Sequence, residues 1–109
     1  MSQDGYEIEV QKRKEQIAAR IERRRQRDAS DLAHVLKSPQ GRRILWNLMV
    51  HAGVHMNAFS EADTDRTTHF KLGKQYMGQS IEADIRKHCP GLLDQMRKEA
   101  ESDELRGQQ

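Results

Sequence analysis

Four groups of residues in this chain have types and spacings that chemistry could use. The first is Gly73 to Ser80, GKQYMGQS, one letter from the phosphate-binding pattern G-x-x-x-x-G-K-[ST]. A phosphate cradle needs a buried strand before it, a turn of backbone N–H groups, a lysine for the outer phosphates and a helix after it. Gln79 stands where the lysine is required, and the preceding RTTHFKL reads as the start of a helix. Both glycines are therefore expected mid-helix with right-handed dihedrals, where each costs about 1 kcal/mol against Ala. The expected compensation is the close approach of another helix, the one carrying Ile44 to Met49, beside Phe70 and Met77.

The second group is His51 and His55, four apart, which His69 could approach. Zinc needs three or four such ligands. Gly53 is placed to end a helix between the pair, and Ala52 stands where a zinc protease carries its glutamate. The third group, Glu61, Asp63 and Asp65 in SEADTD, lacks the ligand spacing and glycine of a calcium loop. Acids there suit the first turn of a helix, through capping and the macrodipole. The fourth is Cys89, between His88 and Pro90, an activated nucleophile in one reading and a helix-corner residue in the other. The expectation is no catalytic residue, no metal site and no cofactor, in a protein that is not an enzyme.

The elements that would position these residues are helical. Residues 6–27 hold mostly good helix formers, with Tyr6, Val10, Ile17 and Ile21 as a thin apolar stripe that Arg13 and Arg24 interrupt. DASDLAHVL then places Leu32, Val35 and Leu36 on one face, either continuing this helix or forming a short second one. Ser38 followed by Pro39 is a helix start, and Ile44, Leu45, Leu48, Met49 and Ala52 form a face that Gly53 ends in a left-handed cap. Asp63 or Thr64 caps a long helix whose spaced residues are Phe70, Gly73, Met77, Ile81 and Ile85. Pro90 opens a last helix with Leu92, Leu93, Met96 and Ala100 inside. No segment alternates like a strand. The predicted fold is all-α, a small bundle of three core helices at about 39–52, 64–88 and 90–103 behind a long basic N-terminal helix. Its parts are a charged helical arm at 1–37, a core domain at 38–104 and a frayed tail at 105–109. Gly41, Gly73 and Gly78 are the expected helix-packing positions.

Composition agrees with a small core. The 109 residues are 35% hydrophobic and 33% charged, where about 45–50% and about 25% are usual. One cysteine excludes an internal disulfide. No apolar run approaches the roughly 20 residues of a membrane helix, so no membrane segment is expected. The formal net charge is only +2, but its distribution is uneven. Residues 12–27 carry eight cationic side chains against Glu15 and Glu22, a local +6, whereas residues 94–109 carry five acids against three bases, a local −2. Arg20, Arg23, Arg24, Arg25 and Arg27 could lie on phosphates, without aromatic residues to stack on bases. They could equally meet an acidic protein surface. They could also form a solvated face held by pairs such as Lys12–Gln16 and Glu22–Gln26.

Between Leu36 and Ala100 a set of short motifs gains meaning together: Gly41-Arg42-Arg43 with Leu45 and Leu48, Gly53-Val54, Phe59, Phe70 with Gly73, Gly78, and Pro90, Leu93, Met96 and Glu99. This pattern resembles a family of small uncharacterised proteins of tailed bacteriophages and prophages, encoded among virion-assembly genes. The basic N-terminal helix lies outside the resemblance. Lys74-Gln75 stands where members often carry an arginine-rich turn. The resemblance implies a virion-associated protein made in the host bacterial cytoplasm, without enzymatic activity. It implies a minor virion protein, an internal protein ejected with the genome, or a head–tail junction component. The partners it implies are other phage structural proteins, in an oligomer, with packaged DNA as a further contact. The other function class left open is a small basic-helix factor binding DNA or RNA in the infected cell.

Overall fold

The computed structural model of the chain describes residues 5–58 and 60–107. Phe59, expected as a loop anchor, lies outside the described residues. Four helices follow one another: α1 (Gly5–Val35), α2 (Pro39–His51), α3 (Asp65–His88) and α4 (Leu92–Gly107). No strand occurs among the described residues. The protein is all-α, as the sequence predicts.

The chain divides into two compact units, Met1–Asp31 and Leu32–Gln109. The first holds a helix of charged and small residues. DASDLAHVL continues that helix rather than forming a second one, because nothing in it breaks helical backbone before Val35. The second unit begins earlier than the expected boundary at residue 38. Leu36 is fully buried, and Leu32 and Ala33 pack against the same cluster, so the last turn of α1 belongs to the core. The cluster draws on every helix of this unit, with Met49 from α2, Ile85 and Cys89 from α3 and its cap, and Met96 from α4.

Local chemistry sets the helix ends. Ser38 is the N-cap of α2, its hydroxyl accepting from the Gly41 N–H at 3.0 Å, with Pro39 inside the first turn. Gly53 follows the end of α2 in left-handed backbone, φ +73, and its N–H reaches Val50 O at 2.9 Å. Thr64 caps α3 by accepting from the Thr67 N–H at 3.2 Å. Asp63 instead pairs with Lys71. The last helix starts at Leu92 rather than Pro90. Gly91 takes φ +86, a turn between α3 and α4 that only glycine adopts without strain. At its other end α4 runs on to Gly107, past the expected start of a frayed tail at 105.

Two faces differ from their expected burial. Phe70 and Met77 are 66% and 63% exposed, and Ile44 and Leu48 are exposed as well. Around α3, at 100° per residue, the buried Gly78 and Ile85 point one way and Phe70 and Met77 lie roughly 60–100° aside. The bundle is too small to cover so wide an apolar arc. Gly73 looks onto open space, with nothing within 4 Å of where a Cβ would be, so it is not a packing position.

Candidate functional site

GKQYMGQS lies wholly within α3, and neither of its glycines has positive φ. Its function is packing, and only at one end. A Cβ on Gly78 would stand 2.5 Å from Val54 Cγ2 and 2.7 Å from Ala52 Cβ. The neighbour at this bare position is the end of α2 and the loop after it. Gln75, one turn earlier, donates to Gly53 O at 2.8 Å and also to Met56 O. The stretch thus clasps the loop after α2. Gly41 is tighter still, since a Cβ there would lie 1.9 Å from the carbonyl oxygen of Val35.

The remaining chemical candidates are dispersed. His51 Nδ1 donates to Asn47 O at 2.7 Å in its own helix, while His55 Nε2 sits 3.7 Å from Glu82. Among the described residues no group of three or more His, Cys, Asp and Glu side chains could hold a metal ion. Cys89 is a free, buried residue at the C-cap of α3, within the core cluster. A groove of about 850 Å³ runs between α2 and α4 over Trp46, Met96 and Ala100. On its rim Arg42 pairs with Glu99 at 2.9 Å and Arg43 with Asp103 at 3.7 Å. No buried side-chain nitrogen or oxygen among the described residues lacks a partner.

Sequence reasoning singled out the glycine beside Arg42 but missed the arginine's own role. Its side chain is only 10% exposed. Nε donates to Glu99 of α4, while Nη1 donates to the carbonyls of Leu36 and Lys37 at 2.9 and 3.0 Å. One guanidinium thus satisfies the carbonyls left open after α1 and ties them to α4. Only Gly41-Arg42-Arg43 at a helix start hinted at it, and periodicity reads an arginine as outward.

The basic arm presents a long exposed surface. Arg20, Arg23, Arg24, Arg25 and Arg27 are all exposed. At 100° per residue, Arg20, Arg23, Arg24 and Arg27 fall within about 100° of arc, whereas Arg25 projects from another side. The one ion pair in this set joins Arg27 to the adjacent Asp28 at 3.4 Å, with both side chains well exposed. Glu22 accepts from Gln26 at 3.3 Å. Among the described residues no ion pair involves Arg20, Arg23, Arg24 or Arg25. Beside them runs the apolar stripe, with Tyr6, Ile17 and Ile21 exposed. None of the residues of α1 is buried.

No family model, curated protein or solved structure matches the chain. Among the described residues no helix is long and apolar enough to cross a membrane.

Proposed function

We propose that the chain is a non-enzymatic, virion-associated structural or interaction protein of a tailed phage, with α1 as its contact element. The observation that carries this reading is α1 itself, a helix of 31 residues with no buried side chain, bearing an apolar stripe and a row of arginines together. A helix so polar gains little from packing within its own chain and suits a neighbour. The motif pattern between Leu36 and Ala100 supports a phage particle as the setting, as a minor virion, internal or head–tail junction component. The exposed Ile44, Leu48, Phe70 and Met77 support further protein contacts. Mass spectrometry of purified particles from the source of this sequence tests it. The chain is expected in a constant ratio to the major structural proteins, and its absence from particles overturns the reading.

A second reading, nucleic-acid binding, rests on the arc of Arg20, Arg23, Arg24 and Arg27. Contacts of this kind go to phosphates and are salt-dependent rather than sequence-specific. A gel-shift at low salt is expected to show retardation that fades as salt rises. No retardation at low salt removes this reading.

A further inference from the structure

We infer that the first partner of α1 is a second copy of α1, paired antiparallel about a twofold axis between residues 13 and 14. This deepens the proposed function and rests on it only in taking α1 as the contact element. The stripe residues Tyr6, Val10, Ile17 and Ile21 are separated by four, seven and four positions. That spacing reads the same from either end. At 100° per residue all four fall within about 60° of arc, and Ile8 lies off the stripe. Turning a second copy end for end therefore lays the stripe on itself, Tyr6 against Ile21 and Val10 against Ile17. Such self-complementarity is what a twofold interface requires.

Three of the four stripe residues are exposed, and Val10 is half-buried. Tyr6 is 74% exposed, Ile17 55% and Ile21 45%, in a unit with no buried residue of its own.

Charge then chooses the direction. Residues 5–11 contain two acids and no Lys or Arg, whereas Arg20, Arg23, Arg24 and Arg25 lie at and beyond the stripe's far end. Antiparallel pairing brings each acidic end beside the partner's basic end, with Glu9 two positions from register with Arg20 on the same flank. Parallel pairing sets acid on acid and the arginine cluster on its own copy. The helix dipoles also favour the antiparallel arrangement. The cost lies at the centre, where Arg13 meets Arg13 and Lys14 meets Lys14 across the axis. The paired span, residues 5–22, is about 27 Å long, which places the interface at the small end of specific contacts. Arg23, Arg24 and Arg27 lie past the paired span.

Disulfide trapping in the full chain tests the geometry, with the wild-type chain as the control for buried Cys89. Val10→Cys and Ile17→Cys variants are oxidised separately and mixed. The mixture is expected to give a disulfide-linked dimer that neither variant gives alone. A strong dimer from Val10→Cys alone means parallel pairing and overturns the inference. Light scattering at about 100 µM gives the second measurement. Wild type is expected to dimerise, Ile17→Glu to weaken the dimer by about a hundredfold, and Arg13→Gln to tighten it several-fold. A monomeric wild type at that concentration overturns the inference. The virion reading is judged separately, by the presence of the chain in particles.

Discussion

The arm, residues 5–31, and the core unit, residues 32–107, are both helical, but different forces hold them. In the core unit, helix ends are closed by Ser38, Thr64 and Gly53, and side chains from each helix meet at Leu36, Met49, Ile85 and Met96. Tertiary contact decides its stability. In the arm, no residue is buried, and the helix rests on good helix formers and on i, i+4 contacts such as Gln11 to Glu15 and Gln26 to Glu22. Each such contact contributes only a few tenths of a kcal/mol. The difference teaches where selection for a partner can act. No buried residue constrains the arm's surface, whereas the core unit has positions such as Gly41 at which no side chain fits.

Substitutions sharpen this contrast, with Trp46 fluorescence reporting the core unit and helical circular dichroism reporting both. The largest effect is expected at Gly41. Ala there would push a Cβ to 1.9 Å from Val35 O, so backbone must move, and the expected loss is about 3 kcal/mol in urea unfolding. A loss below about 1 kcal/mol would show that the start of α2 yields more easily than its packing implies. Arg42→Ala comes next. It leaves the carbonyls of Leu36 and Lys37 without this donor and Glu99 with Gln95 alone, for an expected loss of about 2–3 kcal/mol, and Arg42→Lys, whose single ammonium nitrogen cannot stand where both Nε and Nη1 do, recovers only part.

The two glycines of α3 then give opposite signs. Gly78→Ala is expected to destabilise by about 1–2 kcal/mol through contact with Ala52 and Val54. Gly73→Ala meets open space and is expected to stabilise by about 1 kcal/mol through helix propensity. The same sign at both positions breaks the account of α3 packing. The smallest expected effect on stability belongs to the arm. Changing Arg23, Arg24 and Arg25 together to Ala should move the Trp46 transition by no more than about 0.5 kcal/mol. In a gel-shift at low salt the same variant should lose any nucleic-acid binding. A large shift in the fluorescence midpoint would mean that the arm contributes to core stability after all.

Much of the architecture was legible because helix ends are local. Ser38-Pro39 and Gly53 act within a few residues of themselves, so their types and order specify where α2 starts and stops, while for α3 residue types left Asp63 and Thr64 as alternatives that the structure decides for Thr64. The start of α4 was less legible, because Pro90 suits a first turn and the positive φ falls instead on Gly91. Apolar periodicity showed that α2 and α3 each have an apolar side but not how much of it would be covered. Phe70 and Met77 share that side with Ile81 yet remain in solvent, since the bundle supplies no helix to reach them.

By itself, then, the sequence determined an all-α chain with a polar basic arm and a small apolar core, because propensity, capping and charge distribution are properties of neighbouring residues. Only the tertiary structure decided that Gly78 is a packing position and Gly73 is not, and that Arg42 turns inward to Glu99 and two carbonyls. These outcomes depend on which surface arrives from elsewhere in the chain. Burial and buried hydrogen bonds belong to pairs of segments, and no single segment carries the identity of its partner.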